Sequence, residues 1–281
     1  MMALPVLGAI MASTSPPGSL RDYLISLGAK SVFESRQGVF EAVGDPAEDL
    51  DEVAIWERAA ECSAGAPRLT SYHPAPDAKP AYDAADANGY PRITFDGVTE
   101  SQRSTDTPTS GTQVEDDLQD GGASGWAFVC VFARNNAGVG GALNDCPVCW
   151  FDKDNGSSQI SLFMDSTSVL TYTQNTAAGE GTATDTVTLN DDVRHVAICE
   201  GDAGGSGTLY LQVDDRTQVT GAGGGGTLIA NCLAVGALIG AGTKFYYHAG
   251  SVYLVARLPR RLTAPERARI VTLAQSDWET A

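Results

Sequence analysis

From Trp126 onward the chain reads as short bursts of apolar residues, some alternating with polar ones and some continuous, all but the last closed by Gly, Asn or Asp. The pattern predicts nine strands, over 126–134, 148–151, 158–164, 169–174, 184–189, 193–200, 208–213, 232–239 and 245–256. Strands at this spacing, separated by turn residues, are the signature of a β-sandwich. In 208–213, Leu209, Leu211 and Val213 share one face while Thr208, Tyr210 and Gln212 share the other, the period of a half-buried strand. The 193–200 segment alternates less cleanly, as expected near the middle of a two-layer core. Asn155-Gly156 predicts a tight hairpin, because both central residues of a type I′ turn need positive φ. The glycine-rich run 221–226 predicts a flexible loop by composition.

One helix is well marked. Thr263 as N-cap, Pro265 in the first turn and Glu266 at the third helical position form a capping box. Ile270, Leu273, Ala274 and Trp278 then make an apolar stripe at helical spacing, predicted to close over the sandwich. Residues 20–120 are polar, with only short apolar bursts such as 31–33, 53–56 and 92–95, and predict long loops with a few strands. Residues 12–19, with paired prolines, read as a linker. The apolar run 1–11 has no Lys or Arg before it, so it reads as an arm packed on its own domain or a neighbouring subunit, not as a signal peptide. The predicted organisation is an arm and linker over 1–19, then one sandwich domain over 20–281.

Composition narrows the function. With 43% apolar and 19% charged residues in 281, the chain can bury a sizeable core. A formal charge of −17 argues against nucleic acid as a partner, since phosphate binding draws on clustered Lys and Arg. No run approaches the ~18 consecutive apolar residues of a membrane span, so no membrane insertion is predicted. Cys62, Cys130, Cys146, Cys149, Cys199 and Cys232 are too sparse for a disulfide scaffold and are expected as reduced thiols.

Candidate chemistry is thin. Cys146-Pro147-Val148-Cys149 has the spacing of a zinc or redox pair, but zinc needs two more ligands and the three histidines, His73, His195 and His248, lie far apart. Packing is the first reading, with a local disulfide or zinc as alternatives. Asp152-Lys153-Asp154-Asn155-Gly156 places oxygen ligands at alternating positions, as a calcium loop does, yet its glycine comes too early for an EF-hand, and a hairpin turn accounts for it. The string Glu115-Asp116-Asp117-Leu118-Gln119-Asp120 lacks the apolar residues that would seat a catalytic carboxylate pair on a core strand, and reads as a solvated loop. His195, on a predicted core strand, is expected to be a hydrogen-bonded structural histidine. No catalytic residue, metal or cofactor is predicted. Tyr72, Tyr82, Tyr90, Tyr246 and Tyr247 are candidates to face a sugar, because sugar sites use aromatic faces beside polar groups.

Three groups of motifs resemble the concanavalin A-like lectin/glucanase superfamily, and especially the laminin-G-like jelly-roll domains of bacteriophage structural proteins. The first runs from Trp56 through Pro80-Ala81-Tyr82 and Asn88-Gly89-Tyr90-Pro91 to Ile93-Thr94-Phe95-Asp96-Gly97-Val98. The second is Arg194-His195-Val196-Ala197 followed by Leu209-Tyr210-Leu211-Gln212-Val213-Asp214. The third is Gly250 to Arg257, then Arg261-Leu262-Thr263 and Glu266. The chain departs from the pattern at Val193-Arg194, where a tryptophan is usual, and at Asp215, where Gly or Asn is usual. The resemblance implies an all-β jelly-roll sandwich with a C-terminal helix, in a non-enzymatic virion structural protein, either a head decoration or fibre-like component or part of the tail. It implies homo-oligomeric packing with other virion proteins after assembly in the host cytoplasm. The alternative is a carbohydrate-binding module for host-surface glycans. A glycoside hydrolase would need a carboxylate pair that the sequence does not offer.

Overall fold

The computed structural model describes residues 18–42, 45–62, 68–70, 79–104, 125–135, 145–151, 158–164, 168–202, 207–226, 228, 232–240 and 243–281. The arm, the acidic string 115–120, the hairpin and calcium candidate at 152–156, Tyr72 and His73 lie outside them. The described residues form two antiparallel sheets packed face to face. The first sheet has the order β16 (Val219–Ala222), β15 (Thr208–Val213), β14 (Arg194–Gly201), β9 (Trp126–Arg134), β20 (Ala249–Leu258), β7 (Arg92–Asp96), β6 (Ala81–Asp83), with β1 (Ser31–Glu34) also paired to β20. The second runs β13 (Gly179–Thr188), β12 (Val169–Thr176), β11 (Gln159–Met164), β10 (Asp145–Phe151), β17 (Cys232–Val235), β8 (Gln102–Ser104), β5 (Arg68–Thr70), β4 (Ile55–Glu57), β2 (Val39–Ala42), β3 (Asp45–Pro46). A small hairpin, β18 (Leu238–Gly240) and β19 (Thr243–Phe245), stands apart. The fold is an all-β sandwich, as predicted.

Strand β9 explains the layering. All nine of its residues are buried, because the first sheet is covered on both faces. Phe128, Cys130 and Phe132 point between the sheets, where Phe128 meets Trp150 at 4.8 Å and Tyr172 at 5.4 Å, and the Trp126 indole N–H donates to the Tyr172 hydroxyl at 2.8 Å. Ala127, Val129 and Val131 point outward against helix α2 (Ala264–Trp278) and helix α1 (Leu20–Ser26). The predicted stripe of Ile270, Leu273, Ala274 and Trp278 is the face α2 buries. Its start is fixed as expected: the Thr263 N–H donates to Glu266 at 2.7 Å. Arg260 adds a two-pronged contact, and its hydrogen bonds pull the Glu266 carboxyl down to about 2. The helix is tied to β14 by Glu200, fully buried, which accepts from the Leu262 N–H at 2.6 Å, Gln218 at 2.7 Å and Arg267 at 3.1 Å.

Three expectations are corrected. The run 221–226 is not a loop throughout: Gly221 and Ala222 belong to β16, and the glycine is there because β16 is pressed against β13, the edge of the other sheet. A Cβ on Gly221 would lie 1.6 Å from the Thr182 carbonyl oxygen, and one on Gly181 would lie 2.3 Å from that of Ala222. The 232–239 segment splits into β17 and β18 at Gly236, whose φ of +84° turns the chain. In the same way Tyr246, at φ +51°, separates β19 from β20. Residues 20–104 hold more order than predicted: α1 and eight short strands, which pair largely with one another and join the rest of the sandwich through β1, β7 and β8, as in Ser31 opposite Arg257 and Arg103 opposite Ala234.

Candidate functional site: a polar cleft on the outer face of the first sheet

Helix α2 covers only part of the outer face. It ends at Trp278, and beyond it the outward residues of β7, β20, β9 and β14 become small or polar. Antiparallel register sets Ser251 of β20 between Thr94 of β7 and Ala133 of β9. These three residues, with Ala249 and Gly250, floor two adjoining hollows of about 350 and about 280 Å³ that share Arg92, Asn135 and Ser251. The Thr94 hydroxyl is buried on this floor with no hydrogen-bond partner among the described residues.

The walls are held by a network around Asp86. Its carboxylate accepts from the backbone N–H groups of Asn88 at 2.9 Å and Tyr90 at 3.0 Å, from Arg194 at 3.2 Å and from the Tyr253 hydroxyl at 3.1 Å. Burial alone would raise the Asp86 carboxyl, but these donors hold it below its ordinary value. Burial, and then the charge on Asp86, push the Tyr253 hydroxyl up to about 12, so it remains a donor at neutral pH. Arg194 lies 4.5 Å above the Tyr90 ring and also donates to Glu279 at 3.0 Å. Arg92 donates to Asp83 at 2.8 Å; although burial opposes it, that partner keeps its guanidinium above the ordinary value. Asp192 stands on the rim, exposed, at φ +61°. At the far end Asp96 accepts from the N–H groups of Val98 and Thr99, both at 2.8 Å, and closes a turn.

Beneath the cleft the sandwich is braced by two buried His–Asp pairs on either side of Phe132. His248 Nδ1 lies 2.5 Å from Asp145, and His195 Nδ1 lies 2.8 Å from Asp214. His195 is thus the structural histidine expected from its strand. Asp214, at φ +53°, also accepts the Val196 N–H at 2.9 Å, so the positive φ of this hairpin falls one residue before Asp215.

The tyrosine candidates are dispersed. Tyr82 packs against the interior cluster, whereas Tyr90 packs on the helix side of the same sheet. Tyr246, 43% exposed, meets Phe163 of the second sheet at 5.3 Å, and Tyr247 follows it, half-buried. Of these four, Tyr90 touches the cleft, through Arg194. The residues that line it, Arg92, Thr94, Asn135, Arg194 and Ser251, escape sequence reasoning because each is unexceptional alone. The one visible signal is polar Arg92 and Thr94 alternating with apolar Ile93 and Phe95. Cys146 and Cys149 are buried with Phe151, Cys232 and Ala234, and burial pushes the Cys146 thiol well above its ordinary value, as suits a packing residue. Among the described residues no group of three His, Cys, Asp or Glu is placed to hold a metal, and no helix is long and apolar enough to cross a membrane.

No protein-family model and no curated protein matches this sequence. Solved structures do match in fold. A Trypanosoma rangeli sialidase, solved with 2,3-difluoro-KDN, is 12% identical over 100% of this chain and 37% of its own, with a TM-score of 0.52, so this chain spans little more than a third of that enzyme's length. The CBM40 of a Ruminococcus gnavus IT-sialidase, bound to α2,3-sialyllactose, is 12% identical over 54% of this chain and 84% of its own, with a TM-score of 0.43. At such identities the likeness is one of fold alone, and the fold is the all-β sandwich described above.

Proposed function

We propose that this chain is a non-catalytic, lectin-like sandwich protein that binds glycans in the outer-face cleft, and that it does so as a component of a bacteriophage particle. The observation that carries glycan binding is the cleft itself: a sugar-sized concavity with a floor of small residues, ringed by side chains whose orientations are fixed by part-buried hydrogen bonds. Fixed polar groups around a shallow hollow suit a ligand rich in hydroxyls, which is recognised by many directional bonds and little apolar area.

A non-catalytic role is supported by how Asp86 and Asp96 of the cleft, and Glu100 beside it, are used. Asp86 and Asp96 each accept several N–H groups, and both are held below their ordinary values, where they make poor general acids. Glu100, raised to about 7 by burial and by neighbouring Asp96, carries the pKa of an acid but accepts the Asp96 N–H at 2.7 Å as part of the turn. The virion setting, with homo-oligomeric packing among other particle proteins, rests on the order of motifs that resembles laminin-G-like phage proteins.

Thr94→Trp tests the site. Thr94 is half-buried and its side chain faces the hollow, so the indole would occupy the open space above the floor; glycan binding should vanish while the melting temperature holds. Binding that survives would place the ligand elsewhere. Immunogold labelling of intact particles with antibody to the folded domain tests the setting; unlabelled particles, with native epitopes shown to be accessible, would remove it.

A further inference from the structure

If the cleft is a glycan site, the charges around it decide which glycans it takes. Two guanidinium groups face it, and both are already matched: Arg92 by Asp83 at 2.8 Å, and Arg194 by Asp86 at 3.2 Å and Glu279 at 3.0 Å. Arg134, a third arginine at the edge, lies on the inward side of β9, toward Asp145 at 3.6 Å and Asp191 at 3.8 Å. Asp192 on the rim forms no ion pair among the described residues, and Asp96 lines the far end. The lining thus carries Arg92, Arg134 and Arg194 against Asp86, Asp96 and Asp192, and each arginine is further matched from outside the lining, Arg92 by Asp83, Arg134 by Asp145 and Asp191, and Arg194 by Glu279.

A sugar carboxylate is normally gripped by a free guanidinium fork. Here both forks are committed, and an added negative charge would meet uncompensated Asp192. The arginines instead act as rigid donors: Arg194 spends two of its five N–H groups on Asp86 and Glu279, leaving others for neutral hydroxyls. We propose that the cleft selects uncharged glycans and rejects sugars that carry a carboxylate. This rests on the glycan-binding reading and specifies its ligand class.

The test is the full chain on an array carrying lactose, maltose, cellobiose and chitobiose alongside 3′-sialyllactose and uronic-acid oligosaccharides. Neutral glycans should be bound, and acidic ones should be weaker by about tenfold, the size of one like-charge contact near a surface. Raising the salt should narrow that gap. Asp192→Asn should narrow it too, with the fold intact, because the residue is exposed and asparagine accepts its positive φ. Acidic glycans bound as well as or better than neutral ones would overturn the selectivity while leaving the glycan site standing. An array with nothing bound would overturn both.

Discussion

The contact between β16 and β13 makes a demanding prediction, because it concerns a glycine that composition alone assigns to a loop. A methyl group on Gly221 would sit 1.6 Å from the Thr182 carbonyl oxygen, 2.6 Å from its carbon and 3.1 Å from the Ala183 Cα. Ordinary contact begins near 3.4 Å, so one strand must move by well over 1 Å. All three obstacles are backbone, so no rotamer change can relieve them. Overpacking of this kind costs roughly 1–3 kcal/mol, and Gly221→Ala belongs at the upper end, about 3 kcal/mol. In a domain of this size that lowers the melting temperature by about 6–12 °C. Chemical denaturation should show a reduced midpoint at unchanged slope. Gly18→Ala, where a methyl group meets nothing within 4 Å, is the control and should be neutral. If Gly221→Ala fell within about 0.5 kcal/mol of the parent, the two sheet edges could not be in backbone contact, and the reasoning would fail.

Two further perturbations probe the buried charges. Glu100 titrates near 7 in the folded chain, raised by burial and by Asp96, against about 4.3 when unfolded, so the folded state holds its proton longer and stability falls as pH rises from about 4.5 to about 7. Since the group is partly exposed, screening reduces the effect to about 1 kcal/mol; Glu100→Gln should raise stability by that much at pH 8 and leave it unchanged at pH 4, and equal shifts at both pH values in thermal melts would sink the argument. Glu200→Gln removes the buried charge that gathers Leu262, Gln218 and Arg267. It should cost about 3 kcal/mol and speed amide exchange throughout α2, whereas unchanged exchange there would mean the helix is held by its apolar stripe alone.

The sandwich was legible where burial imposes a strict pattern. Strands β9 and β15 match their predicted limits because one is apolar from Trp126 to Ala133 and closes on Arg134, and the other alternates perfectly between faces. Helix α1 was missed because its seven residues follow Pro16-Pro17-Gly18 and give too few turns for a stripe; the Ser19 hydroxyl accepting the Asp22 N–H at 3.1 Å, and buried Leu20 and Leu24, were its only traces. Strands β2, β3, β5, β6 and β8 are two to four residues long, below the length at which alternation can be told from chance, whereas β4 and β7 fall on the apolar bursts at 53–56 and 92–95. Of the 221–226 run, Gly221 misled because glycine permits close approach as readily as flexibility, and only the opposing strand shows which applies.

The cleft was illegible for a related reason. Arg92, Asn135, Arg194 and Ser251 are brought together by strand register and by the point at which α2 stops, neither of which is encoded locally. Along β14 the outward positions run Arg194, Val196, Ile198 and Glu200, so a single strand passes from cleft wall to helix-covered core to helix clamp. Arg194 sits where those regimes meet, bonded to Glu279 just past the end of α2, to Asp86 of the wall and stacked on Tyr90, while the Ala281 N–H donates to its carbonyl at 2.9 Å. The same helix that makes β9 apolar on both faces thereby sets the boundary of the polar hollow. A hollow built this way is anchored in the buried part of the molecule, so its shape is set by sheet register and helix packing and not by loop closure.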